Sequence, residues 1–179
     1  MSRNISRSVT LSPRCVIATG GCHTDVTTLH KVLAQGAERY ALRHESSMST
    51  PAMAQLLSTT LYGRRFMPYY AFNVVAGLDA AGKGAVYTYD AVGSYERVAY
   101  AAQGSGQKLI IPLLDNLVGG KNRSDRTPPP QLTATEAVAL AIEAFITAGE
   151  RDMYTGDAVE IHVITAAGVA RQVFALKKD

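Results

Sequence analysis

The chain reads as an α+β protein of antiparallel sheets flanked by helices, and three observations predict it. Strand-like stretches come in hairpin-joined groups instead of alternating one for one with helices, which argues against a doubly wound parallel sheet. Paired helical segments follow the first strand and separate the middle strands from the last two. At 179 residues with 47% hydrophobic content, the chain is long enough for one sizeable core, since a domain of this length buries roughly 70% of the surface its unfolded form exposes. The expected architecture is two antiparallel sheets packed face to face between helical layers. The six strands found below are few for such a sandwich, so the chain reads as short at its front.

The elements follow in order. Cys15 to Ala18 is a short apolar run closed by Thr19-Gly20-Gly21, as in a buried strand that stops at a glycine turn. From Thr24 to about His44, Val26, Leu29, Leu33, Ala37, Tyr40 and Ala41 recur at helical steps, with Lys31, Gln35, Glu38 and Arg39 on the wet side. Gly36 costs that helix about 1 kcal/mol relative to alanine, which implies close packing there. Thr50-Pro51 opens a second helix, the hydroxyl as N-cap and the proline at the first helical position, with Met53, Leu56, Leu57, Thr60 and Leu61 inside.

The period then changes. Tyr70 to Leu78, Gly84 to Val92 and Ser94 to Ala102 are strand-like and joined by short turns, an antiparallel meander. Gly104-Ser105-Gly106 ends the meander and starts a helix to about Val118, its apolar face being Leu109, Ile110, Leu113, Leu114 and Leu117. Pro112 inside it either kinks the helix or falls within its first turns. Gly119 to Gln131 is rich in glycine, basic residues and proline and reads as an exposed, partly stiff loop. Thr133 and Glu136 form a capping box for a helix with the stripe Val138, Ile142, Phe145 and Ile146, and the strands Val159 to Val163 and Val169 to Leu176 close the chain.

Composition excludes several function classes. A formal charge of +3, with 18% charged residues and no long block of either sign, argues against nucleic acid and membrane surfaces as partners. Two cysteines, no leader-like apolar run at the start and no run near the ~18 residues of a membrane span point to a soluble intracellular protein. No metal spacing joins His23, His30, His44 and His162, which read as surface or helix-face residues. No metal and no cofactor are expected.

Two polar junctions carry the candidate chemistry. Ser105 lies where the N–H groups of a new helix point outward and either helps hold an anion or acts as an ordinary N-cap, the latter being the default. Asp152 and Thr155, in Glu150-Arg151-Asp152-Met153-Tyr154-Thr155-Gly156-Asp157-Ala158, belong either to a catalytic network or to a tight turn, and the turn is the default. Lys108 does not complete a phosphate-binding loop, and no serine or cysteine stands beside a matched base.

Taken together, Leu61-Tyr62-Gly63-Arg64-Arg65-Phe66-Met67-Pro68-Tyr69-Tyr70, Gly77-Leu78-Asp79, Gly82 to Tyr87, Asp90 to Tyr95, Pro112-Leu113-Leu114-Asp115-Asn116, Glu150 to Ala158 and the terminal Leu176-Lys177-Lys178-Asp179 resemble β-type subunits of the 20S proteasome. The resemblance covers nearly the whole chain and is most similar to the sixth position of the eukaryotic β ring, a non-catalytic one. It implies the four-layer αββα sandwich of N-terminal nucleophile hydrolases, here without its first two strands, and a single domain over residues 1–179. Active members of that family attack with a threonine at the mature N-terminus, whose own α-amino group, with a reference pKa of ~8, serves as base.

By that resemblance Gly21 matches the oxyanion glycine, Ser105 the serine near the nucleophile and Asp152 the aspartate of the supporting network. Thr155 stands where active subunits usually carry serine, and Arg7 falls at the lysine position. Arginine keeps its proton at any physiological pH and lacks the compact ammonium, so that exchange is not conservative. The threonine, the first aspartate and both opening strands have no counterpart, and Ser2, exposed by loss of Met1, would sit on the wrong strand. The implied role is a silent wall subunit of the degradation chamber, in cytoplasm and nucleus. Its partners are neighbouring β subunits of the ring, α-ring subunits and β subunits of the opposite ring, with the 119–131 loop as a contact segment. Two other readings remain: an active threonine protease whose true N-terminus lies upstream of Met1, and a free-standing α+β binding domain.

Overall fold

The structure, a computed structural model, describes residues 5–121 and 131–177. The described residues divide into two compact units, one formed by residues 5–104 with 164–170, the other by 105–121 and 131–163 with 171–177.

The first unit is a five-stranded antiparallel sheet in the order β1 (Ser8–Ser12), β2 (Cys15–Gly21), β3 (Ala71–Leu78), β4 (Gly84–Tyr89), β5 (Tyr95–Val98). Two helices, α1 (His23–His44) and α2 (Thr50–Tyr62), pack on it. The period-two pattern of β3 sets the inner face: Ala71, Asn73, Val75 and Gly77 are buried and the residues between them half-buried. Ile17 pairs with Val75 and Val75 with Tyr87, so one face carries Ile17, Val75 and Tyr87 in line. That face meets Val26, Leu29 and Leu33 of α1 and Met53, Leu57 and Leu61 of α2 in one dry core. Tyr89 ties sheet to helix by donating its hydroxyl to Ala54 O at 2.8 Å. Gly36 behaves as expected: a Cβ there would press on the Leu56 side chain, so the two helices approach where α1 has no side chain.

Several expectations need correction. Among the described residues seven strands are present instead of six, because Ser8–Ser12 pairs with β2 through Val9↔Ile17 and its neighbours. With only Val9 and Leu11 apolar, that segment has too weak a pattern to stand out. The strand expected over Ser94 to Ala102 is only Tyr95–Val98. The N-cap of α2 is Ser49, which accepts from Ala52 N–H, while Thr50 is inside the helix and donates its hydroxyl across to Leu78 O at 2.7 Å. Thr50 thus stitches helix to sheet.

The second unit contains α3 (Gln107–Leu117), α4 (Ala134–Gly149) and most of the two-stranded sheet of β6 (Ala158–Thr165) and β7 (Gly168–Ala175), whose connecting residues 164–170 fall in the first unit. The capping box is present: Thr133 accepts from Glu136 N–H, and the Glu136 carboxylate accepts from Thr133 N–H at 2.7 Å. Pro112 lies inside α3, past its first turn. The expected stripe of α4 is displaced. Ala144 and Ala148 are buried, whereas Phe145 and Ile146 face solvent. Most of the 119–131 loop lies outside the described residues, as do Ser2 and the last two residues.

Candidate functional site

Each unit holds part of the sequence-derived site. In the first, Arg7 precedes β1 and its carbonyl accepts from Thr19 N–H at 2.9 Å, which extends the ladder beside β2. That pairing brings the Arg7 guanidinium to the end of β2, where Nη1 donates to Gly21 O at 3.3 Å. Gly21 itself has φ +117°, and a Cβ there would collide with the Tyr70 carbonyl. Only glycine fits this crossing of backbones. The next N–H, from Cys22, donates to Tyr70 O at 2.9 Å, and Asp25 accepts from Tyr70 N–H at 2.8 Å, so the turn from β2 into α1 is held from both sides.

In the second unit the α4 terminus positions the rest. Asp152 N–H donates to Ala148 O at 2.8 Å and Thr155 N–H to Asp152 O at 3.0 Å, forming a tight turn after the helix. Ser105 donates to Asp152 Oδ2 at 2.6 Å and Thr155 Oγ1 donates to the same oxygen at 2.7 Å, while Tyr154 N–H reaches Oδ1 at 3.2 Å. Ser105 is therefore not an N-cap. Gly106 holds that place without a side-chain bond, and the serine is spent on the carboxylate. Asp152 and Thr155 are both turn and network at once.

What this cluster can do is set by its proton balance. Burial alone pushes the Asp152 carboxyl up, but the bonds from Ser105, Thr155 and Tyr154 N–H outweigh it and leave the group below the ordinary carboxylate range. A carboxylate so stabilised is a poor base, because a general base works best with a pKa near the operating pH. It can orient two hydroxyls and stiffen the turn.

A further polar cluster was invisible as a site in the sequence. His30, on the apolar stripe of α1 between Leu29 and Leu33, is buried, and its Nε2 lies 2.8 Å from Thr19 Oγ1. Thr19 donates to Asn73 Oδ1 at 2.9 Å, and Asn73 Nδ2 donates to Ala71 O at 3.2 Å. Since the threonine has one proton and gives it to Asn73, the imidazole must donate from Nε2. Burial holds the His30 pKa below the ordinary value. Of the surface or helix-face reading of this histidine the surface half is thereby corrected: it is a satisfied core residue on the inner face of α1. The one signal available was its position within the stripe.

Cys15 is buried, which pushes its thiol up to about 12, and Cys22 is exposed at the N-cap of α1, its pKa lowered by the Thr24 hydroxyl. Among the described residues no His, Cys, Asp and Glu group could hold a metal ion, and no helix is long and apolar enough to cross a membrane.

The family model described as "Proteasome subunit" matches residues 1–164. The chain belongs to the proteasome subunit family. Its fold is accordingly the α+β sandwich of N-terminal nucleophile hydrolases. Among curated proteins, it is 50% identical to "Proteasome subunit beta type-1" of Oryza sativa subsp. japonica over 100% of this chain and 82% of that protein. The protein of the same name from Petunia hybrida is 49% identical over 100% of this chain and 82% of its own length. That of Dictyostelium discoideum is 45% identical over 99% of this chain and 75% of its own length. The proteasome strings read from the sequence thus extend to likeness along essentially the full chain. Within this proteasome subunit, the structure brings Arg7 to Gly21 and joins Ser105 and Thr155 through Asp152.

Proposed function

We propose that this chain is a non-catalytic β subunit of the 20S proteasome core, one that forms part of the chamber wall in which other subunits cleave unfolded and ubiquitin-marked proteins. The observation that carries the reading is its likeness, at about half identity over its whole length, to proteins named proteasome subunit beta type-1. One feature of the site supports silence. The charge at the lysine position is a guanidinium bonded to the Gly21 carbonyl, and such a group does not give up its proton to assist a nucleophile.

The partners in this reading are adjacent β subunits of the same ring, α-ring subunits above and β subunits of the opposite ring, met through obligate interfaces that are larger and more apolar than transient ones. The assembly works in cytoplasm and nucleus. The test is native mass spectrometry of the purified core after treatment with an electrophilic peptide that traps active threonines. The chain should be present in the intact particle and carry no adduct. An adduct on this chain would instead establish an active subunit, and its absence from the particle would favour a free-standing domain.

A further inference from the structure

Between α2 and β3 the chain builds a protrusion from Tyr62 to Tyr70. Every residue from Tyr62 to Pro68 is exposed, as is Tyr70, while Tyr69 turns into the core as an anchor. Phe66 is 95% and Met67 83% exposed. The backbone beneath them is nevertheless tied in successive turns: Arg64 N–H donates to Leu61 O, Arg65 N–H to Tyr62 O and Met67 N–H to Arg64 O, each at 3.0 Å. At the base, Tyr70 is held by Asp25 and by Cys22 N–H as described above. The side chains are ordered too. The Arg64 guanidinium lies 4.7 Å from the Tyr69 ring centroid and that of Arg65 5.5 Å from the Phe66 ring.

An ordered turn that lifts a phenylalanine and a methionine into water has the chemistry of an interface centre, where aromatic residues, methionine and arginine concentrate. Being preformed, it loses little entropy on docking. Its charge is one-sided: between Glu45 and Asp79 the sequence holds two arginines and no carboxylate. Asp25, the carboxylate at the base, is engaged by Tyr70 N–H. What covers this surface must therefore offer an apolar socket for Phe66 and Met67 with carboxylates at its rim for Arg64 and Arg65.

We infer that the 62–70 protrusion is a docking knob that enters an acid-rimmed apolar socket on a neighbouring subunit of the assembly. The inference rests on the assembly role proposed above and adds the contact segment and the chemistry of its counterpart. Aromatic burial supplies the attraction, and the paired charges fix orientation and reject wrong neighbours.

The experiment replaces the natural chain in cells by tagged wild type, Phe66→Ala, R64E/R65E or R64K/R65K and quantifies each in the purified core particle. Phe66→Ala and R64E/R65E should enter the particle about tenfold less well than wild type, as for the loss of a central interface residue. R64K/R65K keeps the charge and should enter nearly as well as wild type. Its new amines should then couple, under carbodiimide, to an Asp or Glu of one neighbouring subunit. Thermal unfolding of the purified chains should be unchanged, since position 66 is almost fully in solvent. Equal incorporation of all variants, or coupling confined to this chain or to lipid, overturns the knob while leaving the assembly role intact. Absence of wild type from the particle removes both.

Discussion

The unit built on β1–β5 and the unit holding α3, α4 and the terminal strands treat their apolar residues in opposite ways. In the first, α1 and α2 bury Leu29, Leu33, Met53, Leu57 and Leu61 completely against the sheet. In the second, α3 has no buried residue despite its run of leucine and isoleucine, and α4 buries only two alanines. Phe145, Ile146 and Val173 remain in solvent. The first unit has a core of its own, whereas the second carries apolar surface that the described residues leave exposed.

The contrast breaks most readily at its strongest point. Leu57→Ala, in the dry core, should cost about 2–5 kcal/mol, while Phe145→Ala, already half in water, should cost about 1 kcal/mol or less. Chemical denaturation of the purified chain checks both, and equal costs would erase the distinction between the units. Next in size is Asn73→Ala, which strands the Thr19 hydroxyl and should cost about 1–3 kcal/mol. The same measurement reads it. Thr133→Ala removes the N-cap of α4 and should cost about 1 kcal/mol, visible as faster amide exchange in the first turn of that helix.

The smallest expected effect is one of pH. Burial lowers the His30 pKa from an ordinary 6.5, so the unfolded chain takes up the proton first. Stability from this group is complete above about pH 6.5 and declines as pH falls towards the folded-state value. Asp152, also depressed, contributes above its ordinary 3.8 and loses that contribution as pH falls through its lowered pKa. Unfolding curves across this range should show two successive losses. His30→Gln should remove the upper one and leave the lower in place.

Much of the first unit was legible because its signals are local. The α1 stripe, the α2 stripe and Gly36 each encode burial within a single element, and in the second unit the Thr133/Glu136 box lies within four residues. β1 was not read, because the alternation of Val9 and Leu11 with Ser8, Thr10 and Ser12 spans only five residues and is too short to stand out. Nor was the correct N-cap of α2, because Thr50 next to proline imitates a cap while its hydroxyl is drawn to Leu78 O on a distant strand.

The site divides along the same line. Arg7 and Gly21 were found through the family resemblance, which marks positions but gives no distances, whereas Ser105, Asp152 and Thr155 already stood out as polar junctions. Spacing alone explained only the Asp152 to Thr155 turn.

By itself, then, the sequence determined the helices, the meander and the family, because periodicity, caps and long strings are properties of neighbouring residues. Only the tertiary structure decided that His30 pairs with Thr19, that Ser105 gives its proton to Asp152, and that Phe66 stands in water. Hydrogen bonds and burial join residues tens of positions apart, and no local pattern records which distant group the fold will bring within 3 Å.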